Sequence, residues 1–302
     1  MRMPMTENKP YEGVADISGA RLRYRIAGTI GAPLLVFENG WGASYEQWAW
    51  IERELAAHAQ LLFYNRAGIG GSKLLRAQTV NGLSDQFAAL LAALGFVQPA
   101  IVVGHSYGGL MSSLHAAQRP EVLKAVIEID PTTEVADPVL DGNLQVLGPG
   151  VCLVKFFLSL GLPNVLFGGL AKSLPPELGK EMMIRSLSNP ESLDAGVAEF
   201  ALLSSIRATI SKAHSSGLPR LLIGAGTTSE PGGGLLSRLM ANSKRSSETF
   251  ERSKSLQRDR AVSDPECRIT MLPYNHSALA FDSAGAKASA ATILGFLHAI
   301  ES

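Results

Sequence analysis

The heptapeptide Val103-Gly104-His105-Ser106-Tyr107-Gly108-Gly109 sets a serine between two glycines in the spacing G-x-S-x-G. An apolar run, Ala100 to Val103, leads into it, and a helical pattern, Leu110 to Gln118, leads out until Pro120 stops it. A nucleophilic serine presented between a buried strand and a helix sits on a sharp turn with strained backbone, where side chains on the flanking residues would collide. Gly104 and Gly108 meet that need. Such a turn presents the serine hydroxyl at the carboxyl edge of a sheet, above a helix N-terminus whose free amides favour developing negative charge.

The rest of the chain repeats the strand-then-helix rhythm. Leu22 to Ile26 alternates with three arginines as a half-exposed strand would, and Pro33 to Phe37 is a continuous apolar run ending at ENGWG. Tyr45 to His58 has helical spacing, Gln60 to Tyr64 reads as a strand, and Leu83 to Leu94 as a helix closed by Gly95. Ala125 to Ile129 is a further strand. Parallel strands need a crossover connection, and helices of this length supply one, so the class is α/β. After Pro131 no strand is evident until about Gly217, which predicts an inserted helical lid. Leu221 to Gly224 and Arg268 to Leu272 resume the strand pattern before a last helix, Ala284 to Ile300. The expected division is a core of residues 1–131 and 218–302 with a cap of residues 132–217. The mixed charges of residues 234–260 predict a solvated helical face.

Ser106 is the candidate nucleophile. A serine hydroxyl is weak at neutral pH and needs a base, commonly a histidine oriented by a carboxylate. Of six histidines, His105 adjoins the serine and is expected to point the other way off the turn. His58, His115 and His298 fall in helical patterns, and His214 precedes a strand, on the opposite sheet edge. His276, in PYNHSALAF just past the last strand, shares the carboxyl edge with Ser106 and is the expected base.

Two carboxylates between the serine and that histidine lie near strand ends. Asp130 closes AVIEID, on a rigid element, whereas Glu230 stands in the TTSEPGGG loop after a later strand. Asp130 is the expected orienting acid, with Glu230 as the alternative. A tetrahedral oxyanion needs two donors. The backbone amide of Tyr107, directly after the serine, is one; the other is expected from the loop Asn39-Gly40-Trp41-Gly42, through the amide of Trp41.

In this order the motifs resemble the α/β-hydrolase superfamily over nearly the whole chain. ENGWG resembles an oxyanion-loop motif in which His-Gly is more usual, NRAGIGGS resembles D-R-x-G-x-G-x-S, GHSYGG is the elbow, and IEIDPTTE resembles the strand after the elbow helix. Asn39 stands where histidine is common and Asn65 where aspartate is. The resemblance implies a mostly parallel eight-stranded sheet flanked by helices. It also implies a serine esterase mechanism, and it supports Asp130, because some members carry the acid at the end of that strand. Members with a nucleophilic aspartate, the epoxide hydrolases and dehalogenases, are excluded by Ser106.

Composition narrows the partners. With 27 basic and 27 acidic side chains among 302 residues, the chain has no surplus of cations for gripping nucleic acid. Hydrophobic residues are 46% and charged residues 18%, so long-range steering of ionic substrates is not expected, and a small, largely apolar acyl substrate is. GIGGSK at 68–73 lacks the spacing of a phosphate loop. No cofactor is implied, and no histidine or carboxylate cluster has zinc spacing, so no metal is either. Cys152 and Cys267 read as buried free thiols. The apolar stretch Val151 to Leu170 is broken by Lys155 and Pro163 and reads as lid rather than membrane span. The first dozen residues lack an apolar run, so no signal peptide is expected and the cytoplasm is the expected location. Acyl transfer to an acceptor other than water, cleavage after proline, and ligand binding without turnover stay open as alternatives, and the sequence leaves oligomeric state undetermined.

Overall fold

Runs that are apolar on both faces can only be buried between two layers, and this chain buries them in the middle of one sheet. In the computed structural model, which describes residues 9–136, 163–213, 217–228 and 244–301, the strands are β1 (Tyr11–Ile17), β2 (Ala20–Gly28), β3 (Leu34–Glu38), β4 (Gln60–Tyr64), β5 (Lys73–Leu74), β6 (Ala100–His105), β7 (Leu123–Ile129), β8 (Arg220–Ala225) and β9 (Cys267–Leu272). Eight of them run in the order β1-β2-β4-β3-β6-β7-β8-β9, and the two-residue β5 pairs with β2 outside that path. Among the described residues the sheet therefore has the expected eight-strand path and one addition, β5, too short to leave a pattern in the sequence. From β4 to β9 every pairing is parallel, whereas β1 and β2 are antiparallel to their neighbours.

Alternate side chains of the central strands feed two separate cores. Leu35, Phe37, Ile101, Val103, Ile127 and Ile129 join the cluster under the helices α1 (Ala49–Leu55) and α2 (Ser283–Glu301). Val36, Val102 and Val126 join the opposite cluster. There Phe87 and Leu90 of the helix Val80–Ala93 pack, and Gly95, at φ 77, ends that helix.

Three local expectations change. Tyr11–Ile17 is a strand, and its polar, largely exposed residues hid it. Tyr45 to His58 is a 3₁₀ turn, Tyr45–Trp48, followed by the shorter helix Ala49–Leu55, so His58 lies in a turn. The helix Lys244–Ser263 is not only a solvated face, because it buries Gln257 at 3% exposure.

Between β7 and β8 the described residues are helical: Pro163–Lys172, Pro176–Met182, Pro190–Ala201 and Leu203–Lys212. The expected lid run Val151 to Leu170 lies outside the described residues up to 162. No helix among the described residues is long and apolar enough to cross a membrane.

Candidate active site

β6 runs straight into the helix Tyr107–Gln118 through Ser106, whose backbone sits at φ 57, ψ −119. A Cβ on Gly104 would lie 2.1 Å from the Gly108 carbonyl oxygen, and one on Gly108 would lie 2.1 Å from that of Glu38. Any side chain at either position would have to displace backbone, which is why both residues are glycine. Ser106 is pinned on both sides: its amide donates to Ile129 O at 3.0 Å, and its carbonyl accepts from the Thr132 amide at 2.9 Å. Tyr107 opens the helix, so its N–H has no acceptor one turn earlier within the helix.

Asp130 follows β7, the strand beside β6, with its own backbone at φ 41. His276 lies beyond the end of β9, and its Nδ1 sits 2.6 Å from Asp130 Oδ2. The other carboxylate oxygen accepts from Gln257 Nε2 at 2.9 Å and from the Ala225 amide at 3.1 Å. Burial acts to raise the Asp130 carboxyl, but His276, Gln257 and the Ala225 amide outweigh it and bring it down to about 2. A carboxylate on Nδ1 fixes the proton there and leaves Nε2 as the basic atom of the ring. Of the two candidate acids, the structure joins Asp130 to His276; Glu230 lies outside the described residues. Gln257 was not singled out from the sequence, since nothing in a charged helical run marks one glutamine as facing inward.

His105 differs from expectation. Its ring lies tilted by 34° against that of His276, with centroids 4.7 Å apart, and its Nε2 lies 3.0 Å from the His276 carbonyl oxygen. Burial, reinforced by the charge of His276, pushes its pKa down to about 3, so the ring is neutral. Trp48 and Phe281 meet it edge-on.

In the loop after β3, Asn39 Nδ2 donates to Tyr64 O at 2.8 Å and to Asn65 Oδ1 at 3.2 Å, and Asn39 Oδ1 accepts from Trp48 Nε1 at 2.8 Å. The two positions where the sequence departs from the commoner motif thus meet each other. Ala43 N donates to Gly40 O at 3.2 Å, and Gly42 at φ 64 completes a tight turn around Trp41. The Trp41 indole donates to Gly196 O at 2.8 Å and packs edge-on against Phe200 at 5.5 Å, and Tyr107 stacks on the same Phe200 at 5.8 Å. The two expected oxyanion residues therefore share one aromatic neighbour on the helix Pro190–Ala201.

The remaining histidines stand elsewhere. His115 is buried with its ring nitrogens 2.9 Å from Glu38 Oε1 and 2.9 Å from Ser84 Oγ. His58 and His298 are exposed, and His214 lies outside the described residues. Cys267 is a buried free thiol whose pKa burial raises to about 11; Cys152 lies outside the described residues. Among the described residues no three His, Cys, Asp or Glu side chains are grouped to hold a metal ion.

A family described as the alpha/beta hydrolase fold matches residues 33–159. "Probable transporter efuK" of Hormonema carpetanum is 32% identical over 148 residues, 44% of this chain and 21% of that protein. The pimeloyl-[acyl-carrier protein] methyl ester esterase of Aeromonas salmonicida is 32% identical over 126 residues, 38% of this chain and 48% of that enzyme. These matches span less than half the length of either relative. Among solved structures, the enol-lactonase from Burkholderia xenovorans LB400 aligns with a TM-score of 0.63 at 19% identity, over 95% of this chain and 100% of that one. A hydrolase from Pseudomonas aeruginosa PA01 aligns at 0.64 and 19%, over 95% of this chain and 98% of that one. At such identities the likeness establishes the fold.

Proposed function

Because the chain belongs to the α/β-hydrolase superfamily, we propose that it is a serine hydrolase that cleaves a carboxylic ester or related acyl bond. The observation that carries this reading is the 2.6 Å bond between His276 Nδ1 and Asp130 Oδ2 at the sheet edge where Ser106 stands in its strained turn.

In this mechanism Ser106 Oγ attacks the acyl carbon while His276 Nε2 takes the hydroxyl proton. Asp130 keeps the proton of Nδ1 in place and stabilises the imidazolium that forms. The carbonyl oxygen becomes an oxyanion held by the amides of Trp41 and Tyr107. Collapse of the tetrahedral species breaks the bond to the leaving alcohol, which receives the proton from His276. Water, deprotonated by the same Nε2, attacks the acyl-enzyme, and the acid departs as Ser106 recovers its proton.

The half-buried rings of Trp41 and Phe200, in edge-on contact beside the oxyanion donors, favour a small, largely apolar acyl or alcohol group. The helix Pro190–Ala201, which carries Phe200, acts as a cap over it. Incubation with a fluorophosphonate probe followed by peptide mapping tests the reading: Ser106 should carry the adduct in folded protein, and Ser106→Ala should abolish it. An unlabelled Ser106 together with no turnover across a panel of p-nitrophenyl esters of graded acyl length would overturn it.

A further inference from the structure

Arg66 lies in the NRAGIGGS segment just after β4, and the mechanism above leaves it without a task. Its side chain is 4% exposed, and all of its nitrogens are engaged. Nε and Nη2 fork onto Glu199 Oε1 and Oε2 at 2.7 and 3.0 Å. Nη1 reaches Glu38 Oε2 at 3.2 Å and Asn39 O at 2.7 Å, and Nη2 also reaches Gly40 O at 3.2 Å. A guanidinium is a rigid planar fork, so fixing one edge on a carboxylate fixes the directions of its other donors.

The Gly40 carbonyl belongs to the same peptide unit as the Trp41 N–H. A trans peptide is planar, with its oxygen and its N–H on opposite sides, so a group that holds the oxygen aims the N–H. Arg66 holds that oxygen on the side away from the donor, and the Asn39 oxygen one unit earlier as well. Glu199, which orients Arg66, sits on the helix Pro190–Ala201 with its side chain 3% exposed, and its own carbonyl accepts from Tyr107 Oη at 3.0 Å. The Arg66 guanidinium lies over the Tyr107 ring at 5.3 Å. One ion pair thus touches the Gly40–Trp41 peptide unit, through the Gly40 oxygen, and the side chain of Tyr107.

We propose that Arg66, held by Glu199, is the positioning residue of the oxyanion hole: it turns the Gly40–Trp41 peptide so that the Trp41 amide faces the tetrahedral intermediate. The proposal rests on the ester-hydrolase reading. It makes the helix Pro190–Ala201 part of the catalytic framework rather than only a roof over the substrate.

A merely structural pair would lower folding stability, and activity only in step with it. The test uses Glu199→Gln, Arg66→Lys and the double variant Arg66→Met/Glu199→Met, with thermal melting, kcat and KM on a p-nitrophenyl ester, and inhibition by a simple alkylboronic acid, which forms a tetrahedral adduct on serine. Replacing both members by apolar residues spares the fold an unpaired Glu199, although Glu38 Oε2 still loses the guanidinium 3.2 Å away. The double variant should therefore melt below the wild type, and its kinetics are read at a temperature where the melting curve shows it fully folded. Its kcat should still fall about 10- to 100-fold, in the range expected when an oxyanion donor is misplaced rather than deleted. Its KM should stay within about 3-fold, and boronate affinity should fall in parallel with kcat. A double variant with wild-type kcat, or losses confined to KM, overturns the proposal while leaving the hydrolase reading intact. If the single variants do not fold, the double variant decides alone. A wild-type protein that neither takes the fluorophosphonate nor turns over esters removes the functional reading and this proposal with it.

Discussion

Asp130 divides its two carboxylate oxygens between a ring and a scaffold: Oδ2 meets His276 Nδ1 at 2.6 Å, while Oδ1 is held by Gln257 at 2.9 Å and by the Ala225 amide at 3.1 Å. The imidazole is therefore oriented by a group that is itself fixed to β8 and to the helix Lys244–Ser263. Removing the charge but not the shape isolates its contribution. Asp130→Asn should lower kcat on a p-nitrophenyl ester by about 10³- to 10⁴-fold, the loss typical when the orienting carboxylate of such a triad is neutralised. Glu230→Gln should stay near wild type; the opposite ranking of the two variants would transfer the role to Glu230.

Gln257→Leu takes one donor from the Asp130 carboxylate and should raise its pKa from about 2. The folded value lies below the ordinary 3.8, so ionised Asp130 stabilises the fold fully above about pH 4, and that contribution is lost as the pH falls through 2. Urea denaturation of the wild type should show an acid-side loss of roughly 2 kcal/mol from this group, which the Leu variant should show in smaller amount and at higher pH. Superimposable pH curves would mean that Gln257 does not support the carboxylate.

Gly108→Ala places a methyl where the Glu38 carbonyl oxygen would be 2.1 Å away and that of Asn39 2.6 Å. Overpacking of this kind costs about 1–3 kcal/mol where the backbone can shift, and here the shift would move the Ser106 turn and the oxyanion loop together. Calorimetry should show a lower Tm, and fluorophosphonate labelling should slow at least tenfold in the fraction that stays folded. Unchanged melting and labelling would contradict the packing described for the elbow.

His105 should make the protein acid-sensitive. Its folded imidazole stays neutral down to about pH 3, whereas an unfolded one protonates below about 6.5, so the unfolded state binds more protons between those limits. Stability should fall with falling pH across that window by about 1.4 kcal/mol per unit from this residue. His105→Gln, assayed by chemical denaturation from pH 4 to 7, should show a correspondingly shallower slope; equal slopes would assign the acid sensitivity to other groups.

The sequence displays what local chemistry imposes. Buried strands must be apolar, so β3, β4, β6, β7 and β8 stand out, and a serine elbow must have its two glycines. Asp130 and His276 are legible because each follows a strand end on the same sheet edge. What escapes are contacts made by long-range packing of residues that look ordinary in their own segment. Gln257 lies in a run of charges, Glu199 in an amphipathic helix, and Arg66 in a glycine-rich loop, and only the fold turns each inward. β1 escaped for the opposite reason, since an edge strand with little burial need not alternate. Adjacency to Ser106 in the sequence gives no sense of how the loop after β9 folds back to bring His276 against His105.

Ser106 at φ 57 and Asp130 at φ 41 are the two non-glycine residues in left-handed backbone among the described residues. Each such position carries on the order of 1–3 kcal/mol of conformational cost, tolerated because neighbouring hydrogen bonds leave the backbone no other course. Glycine at either place would relieve that cost, less its own entropic penalty, and would discard the hydroxyl or the carboxylate. Screening this protein for heat resistance alone would therefore tend to enrich inert variants at these two positions, so durability and turnover have to be selected together.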